Sequence, residues 1–190
     1  MASRRPRRRS RVPSRRSFRL QRARAADLPI LVVHRVAMFR AIGHHTEAQL
    51  RGHALPYRRW LSPRLRSGEI VAYLATLEGR PVGSGALWFM PQQPRPGSPR
   101  GVVPYIMSMF TEPGHQRQGV ATAIVRALVR EARRARAQRV TLHAAPQGRP
   151  VYERLGFEVG NEMRLWLRRP AWTPTTGSRA TTRARAGSPR

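Results

Sequence analysis

The sequence predicts one domain of the α/β (α+β) class, and three observations support this fold class. Apolar or alternating segments of strand length are interleaved with longer segments of helical periodicity. Two strand segments, residues 69–77 and 81–90, are joined by only three residues that include Gly79, which is typical of a hairpin. The length of 190 residues suits a single domain with appendages. A helix-covered sheet with antiparallel strands follows from these patterns.

The first half of the predicted domain has the order strand, helix, helix, strand, strand. Its first helix begins at Asp27, a residue type that caps helix N-termini well. The second helical pattern is interrupted near Pro56. Residues 91–101, which contain four prolines, predict a surface loop after the hairpin. The predicted bounds are a strand over 18–22, a helix over 27–42, a helical region over 46–66, and the two hairpin strands.

The second half continues with a strand, a long helix, a strand, a short helix and closing strands. The long helix has a broad apolar stripe opposite a face of arginines, which predicts that one side packs on the sheet. Gly156 ends the short helix where a left-handed cap is expected. The predicted bounds are strands over 102–111 and 139–144, helices over 120–137 and 150–155, and a closing strand or pair over 157–159 and 162–167.

Arginine dominates the charge of the chain. All 37 basic residues are arginine against 9 acidic residues, and the net charge is +28. Residues 1–17 hold eight arginines and residues 170–190 hold four, so we expect two disordered tails around a domain at 18–169 that carries +16. A basic body favours acidic partners, including nucleic acid and polyanionic cofactors. The plainer interpretation is a genome-wide replacement of lysine by arginine.

Composition also excludes several classes. The chain has no cysteine, which excludes disulfides, thiol nucleophiles and cysteine-ligated zinc. Residues 14–18 resemble the start of a twin-arginine export signal, but the apolar run that should follow, 28–33, is broken at once by His34 and Arg35. No segment approaches the roughly 20 apolar residues of a membrane span. We expect a cytoplasmic protein without a membrane partner, although the acid-poor start keeps a mitochondrial presequence or a misassigned start codon open.

The stretch 116–122 connects the fourth predicted strand to the long helix. The first N–H groups of a helix have no internal partner, and the helix dipole adds partial positive charge there. Gly119 lets a ligand approach the backbone closely, while Ala121 and Thr122 keep the first turn small. Arg117 adds a forked donor for phosphate oxygens. These features predict an anion cradle that suits a diphosphate.

Two familiar phosphate loops do not fit this stretch. A Walker loop needs a lysine, which the chain lacks, and the dinucleotide fingerprint needs three glycines where this loop has one. The stretch instead resembles the [Gln/Arg]-x-x-Gly-x-[Gly/Ala] motif of the GCN5-related N-acetyltransferases. Gln116, Gly119 and Ala121 stand at the defining positions.

A second segment, residues 145–157, resembles the part of the same family that follows the fifth strand and ends in Tyr-Glu-x-x-Gly-Phe. Tyr152, Glu153, Gly156 and Phe157 match that ending, and one helix plus one strand separate it from the cradle, as in the family. The resemblance covers roughly residues 18–168. It implies a mixed, mostly antiparallel sheet of six to seven strands flanked by about four helices.

The resemblance implies direct transfer of the acetyl group of acetyl-CoA to a primary amine of an unidentified acceptor, either a small molecule or a protein. No metal is implied. The family uses its cradle for the pyrophosphate and its fourth strand for the pantetheine arm. The residues expected to bind the cofactor are Met109, Phe110, Thr111, Gln116, Arg117, Gln118, Gly119, Val120, Ala121 and Thr122.

Tyr152 matches the tyrosine that protonates the leaving thiolate in many family members. A phenol, with a reference pKa of about 10, is protonated at neutral pH and donates without tuning; simple packing of the short helix is the alternative role. The general base is not assigned, and none is needed if the amine arrives largely neutral. Family members often use a glutamate on the fourth strand, but here the first carboxylate is Glu112 in the following loop, and Glu69 is a second possibility.

Histidines and aromatic residues outside the motifs support weaker assignments. His44, His45 and His53 raise the question of a metal site, but helical spacing separates the first two, so exposed or substrate-loop positions are expected. We expect His143 near the cleft, with core packing favoured over function. Aromatic residues also occupy the first two helices, where the family shapes its acceptor pocket, although such residues are more often core: Phe39, Tyr57 and Trp60.

Two other functions compete with the enzyme. One is a nucleic-acid-associated basic protein that uses its arginine tails, with binding that falls steeply with salt. The other is a catalytically degenerate member of the fold that senses acyl-CoA. No helix-turn-helix pattern or aromatic platform supports specific nucleic-acid reading, so the enzyme is favoured. We expect a monomer or homodimer.

Overall fold

The computed structural model describes residues 17–96, 98–163 and 165. In this part of the chain, five strands and four α-helices follow one another in the predicted order. The named elements all lie within residues 17–158, and the described residues from 159 onward have no regular secondary structure. The elements are β1 Arg19–Arg22, α1 Leu28–Ile42, α2 Glu47–Ser67, β2 Ile70–Leu77, β3 Arg80–Pro91, β4 Val102–Thr111, α3 Val120–Arg134, β5 Thr141–Leu142 and α4 Arg149–Glu153.

The five strands form one mixed sheet in the order β1-β2-β3-β4-β5. The first four strands are antiparallel, and β5 runs parallel to β4. The mostly antiparallel α/β class is therefore confirmed, with fewer strands than the six to seven expected. Residues 157–159 form no strand, and three of the six residues of the predicted strand over 162–167 lie outside the described residues.

The last strand is also shorter than predicted. It pairs with β4 only at Tyr105–Thr141 and Ile106–Leu142, instead of spanning 139–144. Alternation of apolar residues predicts a strand, but it does not predict over how many residues the neighbouring strand pairs with it. Beyond Ile106 the two strands separate, and the edge of β4 on this side has no strand partner in the described part of the chain.

A bulge interrupts β4 near this separation. Ser84 lies opposite Phe110, and Ala86 lies opposite Met107. Two residues of β4, Ser108 and Met109, therefore face the single residue Gly85 of β3. Ser108 has a φ of +54°, a left-handed conformation that costs free energy for a residue with a side chain. Bulges redirect side chains and leave backbone groups unpaired, so this one is placed to serve a site.

Helices cover both faces of the sheet. Residues of β2 alternate between two core clusters: Ile70 and Leu74 pack with α1 and α2, whereas Ala75 packs with α3. The predicted apolar stripe of α3 is buried, and Ile124 and Leu128 are fully covered. The two layers therefore pack on β4 from opposite sides.

The predicted interruption at Pro56 is wrong. Helix α2 runs without a break over Glu47–Ser67, with Pro63 as a second internal proline. A proline inside a helix costs about 3 kcal/mol, because its N–H is missing and its ring crowds the preceding turn. Tyr57 and Leu61 of the same helix are buried against the sheet, and this packing offsets the cost.

Candidate active site

A cavity of about 1280 Å³ opens where β4 and β5 separate. Its walls come from β4, from the loop that leads into α3 and the first turn of that helix, and from the segment 145–154. Side chains of α1 and α2 close the other end. Most of the predicted site residues line this cavity: Met109, Phe110, Thr111, Gln116, Arg117, Gly119, Val120, Ala121, Thr122 and Tyr152. Gln118 does not, because its side-chain amide donates to the Gly114 carbonyl at 3.0 Å.

The N-terminus of α3 is open to this cavity. Gly119 is the N-cap with a φ of +88°, and no side chain caps the helix. A methyl group placed on Gly119 would meet nothing within 4 Å, so the space in front of the backbone is free. Arg117, in the loop before the helix, also has a positive φ, of +60°. Backbone N–H groups at such a turn bind anions.

The unpaired edge of β4 continues the cavity away from this turn. Its residues 107–111 follow the last pair with β5, and the bulge at Ser108 lies among them. Phe110 points inward, where its ring lies 5.0 Å from that of His34, so its backbone rather than its side chain faces the gap. An extended ligand containing amides can pair with such an edge as an added strand.

Tyr152 of α4 stands on the far wall of the gap. Its ring packs edge-on against Phe157 at 5.8 Å between centroids. Burial, and secondarily the nearby Tyr105, raise the pKa of Tyr152 to about 12. The phenol is therefore fully protonated at neutral pH and can donate a hydrogen bond or a proton.

Tyr105 and His143 form a pair that the sequence did not reveal. The Tyr105 hydroxyl lies 2.5 Å from Nδ1 of His143, and both residues line the cavity. The expectation that His143 packs in the core is wrong, because the ring is on the cavity wall and exposed. The two residues meet only because β4 and β5 are neighbours, a parallel pairing without a local sequence signal.

The two candidate carboxylates have other partners. Glu69 accepts hydrogen bonds from the Trp88 indole at 2.8 Å and the Arg64 guanidinium at 3.1 Å. Glu112 has an oxygen 3.8 Å from Nε2 of the buried His34. Neither glutamate lines the cavity, and the described residues of its wall include no aspartate or glutamate at all. The wall therefore offers no carboxylate base.

The α1–α2 end of the cavity is built around Arg35. Its guanidinium donates to the Ser108 hydroxyl at 2.8 Å, and its carbon lies 4.6 Å from the ring centroid of Phe39 and 4.8 Å from that of Tyr57. The Tyr57 hydroxyl lies 3.1 Å from the same Ser108 oxygen. Burial lowers the pKa of Arg35 from its ordinary value. Phe39, Tyr57 and Trp60 thus border the cavity, where the resemblance placed them, whereas Arg35 carried no sequence signal.

The remaining histidines are not arranged as metal ligands. His44 and His45 lie in the loop between α1 and α2, so the prediction that helical spacing separates them is wrong. The His45 and His53 rings pack edge-on against Phe39, at 5.1 and 5.2 Å between centroids. Among the described residues, no three histidines, aspartates or glutamates are grouped closely enough to hold a metal ion. In that same part of the chain, none of the helices combines the length and apolarity of a membrane span.

Comparison with known proteins agrees with this arrangement. The acetyltransferase (GNAT) family profile matches residues 37–157. A GCN5-related N-acetyltransferase from Ralstonia eutropha JMP134 is similar in structure, with 27% identity over 80% of this chain and 99% of its own, and a TM-score of 0.73. A predicted acetyltransferase from Clostridium acetobutylicum, solved with acetyl-CoA, is 25% identical over 79% of this chain and 96% of its own, with a TM-score of 0.71. No curated protein matches the sequence. The chain belongs to the GCN5-related N-acetyltransferase (GNAT) family.

Proposed function

We propose that this protein transfers the acetyl group of acetyl-CoA directly to a primary amine. One observation carries the proposal: a single cavity joins the uncapped N-terminus of α3, the unpaired edge of β4 and the partly buried phenol of Tyr152. Transfer from a phosphorylated thioester such as acetyl-CoA uses three elements: an anion site for the phosphates, a strand edge for the amides of the pantetheine arm and a proton donor for the departing sulfur. Family membership supports acyl transfer from acetyl-CoA.

The cofactor has a place along this cavity. The cradle residues 116–122 receive the pyrophosphate through backbone N–H groups and the Arg117 side chain. Gln118 acts indirectly there, since its bond to the Gly114 carbonyl fixes the loop. Met109, Phe110 and Thr111 pair with the amides of the pantetheine arm. The thioester then lies near the bulge of β4, where unpaired backbone N–H groups can polarise its carbonyl.

The reaction needs one bond made, one bond broken and two protons moved. The amine nitrogen attacks the thioester carbon, a C–N bond forms, and the C–S bond breaks. Tyr152 gives its proton to the departing sulfur as the C–S bond breaks, and its raised pKa ensures that the phenol is protonated when the cofactor arrives. We assign the proton lost by the amine to the Tyr105–His143 pair, since the cavity wall has no carboxylate to take it.

An acetyl-transfer assay tests this function. Release of free CoA thiol from acetyl-CoA is followed against a panel of primary amines, with Tyr152→Phe as the matched variant that keeps the ring. We expect amine-dependent release by the native protein. If the protein binds acetyl-CoA but acetylates no amine, the transferase proposal fails and an acyl-CoA sensor takes its place.

A further inference from the structure

We propose that the acceptor amine also carries a carboxylate, and that Arg35 binds this group at the α1–α2 end of the cavity. This inference rests on the proposed acetyl transfer. It names the class of acceptor, an amino acid or a similar amino carboxylate, and a residue that selects it.

The contacts of Arg35 fix the orientation of its guanidinium before a ligand binds. Its guanidinium is bound by the Ser108 hydroxyl and lies over the rings of Phe39 and Tyr57. Ser108 is itself fixed by the bulge in β4 and by its contact with the Tyr57 hydroxyl. A planar guanidinium fixed in this way loses little conformational entropy when it pairs with an oxyanion.

Among the described residues, no carboxylate balances the charge of Arg35, and its Nε is buried without a hydrogen-bond acceptor. Arg35 is partly buried, and a partly buried cation without a counterion is costly, so an anion that enters the cavity gains more here than it would at an exposed arginine. The described wall contains two further arginines, Arg117 and Arg154, and no acidic residue.

A carboxylate suits this position better than a phosphate. One guanidinium balances one negative charge, whereas a phosphate dianion would leave a second charge buried among aromatic rings. Those rings form a connected row that extends from Phe39 to Trp88 and offers an apolar surface to the body of the acceptor.

The same charge explains how an amine can react without a carboxylate base. A cationic wall disfavours a second positive charge, so it stabilises the neutral, nucleophilic form of the amine. An acceptor that carries only positive charge, such as a polyamine, is repelled. An amino carboxylate offsets the repulsion through Arg35 and still presents a neutral amine to the thioester.

The test compares amino carboxylates with their amides. L-phenylalanine, L-leucine and γ-aminobutyrate, each beside its carboxamide, are assayed with acetyl-CoA and the native protein, Arg35→Met, Arg35→Lys and Arg130→Met. Arg130 lies on the exposed face of α3 and controls for the loss of one positive charge. We expect the native protein and the control to prefer carboxylates at least tenfold in kcat/KM. Arg35→Met should lose that preference, mainly through KM, and Arg35→Lys should keep part of it.

The outcomes separate this inference from the proposed function. Equal transfer to acids and amides, a carboxylate preference that survives in Arg35→Met, or transfer only to amines without a carboxylate overturns the role of Arg35 and leaves acetyl transfer intact. Absence of transfer to every amine overturns acetyl transfer itself, and the acceptor assignment falls with it. Calorimetry with acetyl-CoA on each variant shows whether the cofactor end is undisturbed.

Discussion

The two ends of the cavity are built in different ways. The proposed cofactor end is made of backbone: a glycine with positive φ, an uncapped helix and an unpaired strand edge. The proposed acceptor end is made of side chains, with Arg35, Tyr57 and Ser108 joined by hydrogen bonds from three different elements. A backbone site recognises what all family members share, whereas a side-chain site can differ between members and select the acceptor.

The largest expected effect on kcat is chemical and lies between the two ends. Tyr152→Phe removes the hydroxyl that we propose as proton donor but keeps the ring that packs on Phe157. General acid catalysis contributes roughly 10²- to 10⁴-fold, so kcat should fall by about 10²-fold or more. The Kd for acetyl-CoA should stay within about threefold. An unchanged kcat in Tyr152→Phe would show that Tyr152 only packs the short helix and does not donate the proton.

The same contrast explains what the sequence could predict. A cradle can be predicted from sequence because Gln116, Gly119 and Ala121 are close in the chain and the conformation of the loop is local; that it binds the cofactor stays a prediction. Arg35 and Ser108 are 73 positions apart, and Tyr57 and Ser108 are 51 apart, so only the folded sheet brings them together. The element order was predicted from periodicity. The length of β5 and the continuity of α2 depend on tertiary packing, which periodicity does not encode.

A second prediction tests how the cofactor end is held in place. A methyl group on Gly83 would lie 2.7 Å from the Val120 side chain and 3.0 Å from the Phe110 carbonyl oxygen. Gly83→Ala should therefore push α3 from β3, lower the free energy of unfolding by roughly 1–3 kcal/mol and weaken acetyl-CoA binding. Urea unfolding and calorimetry measure the two effects.

A glycine at the other end supplies the control. Gly52 lies inside α2, and a methyl group there meets nothing within 4 Å. Gly52→Ala should stabilise the protein by about 0.5–1 kcal/mol, because alanine loses less backbone entropy in a helix. If Gly83→Ala is as well tolerated as Gly52→Ala, the close packing of α3 on β3 is not what positions the cradle.

A third prediction concerns His34, which connects the two ends. It lies on α1, its Nδ1 is 2.9 Å from the Ser84 hydroxyl, and its ring contacts Phe110 of β4. Burial lowers the pKa of His34 from 6.5 to about 4. The unfolded state binds a proton at His34 more readily than the folded state does. The contribution of His34 to the free energy of unfolding is therefore fully present above pH 6.5 and is lost as the pH drops toward 4.

Urea unfolding at several pH values measures this dependence. Between pH 6.5 and 5 the native protein should lose roughly 1 kcal/mol per pH unit more than His34→Gln, which cannot take up the proton. Parallel pH curves for the two proteins would show that His34 is not protonated on unfolding and that burial does not hold it neutral.

The smallest expected effect lies at the acceptor end. Tyr57→Phe removes the hydroxyl near Ser108 but keeps the ring under Arg35. A hydrogen bond of this kind contributes about 1 kcal/mol, so the KM of a carboxylate acceptor should rise about fivefold. The Kd for acetyl-CoA should not change. An equal effect on both constants would mean that the two ends do not act separately.

The central claim is that a backbone cradle at Gly119 binds the pyrophosphate of acetyl-CoA. Calorimetric titration of acetyl-CoA into the native protein, Gly119→Glu, Gly119→Ala and Gly68→Glu tests it most directly. Gly68 has nearly the same left-handed backbone, with a φ of +80° against +88°, and equally free surroundings. Gly68→Glu therefore controls for strain and charge outside the cradle, and Gly119→Ala controls for strain within it.

We expect the native protein and Gly68→Glu to bind with similar affinity. Gly119→Ala should bind about tenfold more weakly, since a left-handed residue with a side chain costs roughly 1–2 kcal/mol. Gly119→Glu should show no measurable binding, because a carboxylate then occupies the position of the phosphates. Full binding by Gly119→Glu, or no binding by the folded native protein, would contradict the cradle as the site of the cofactor.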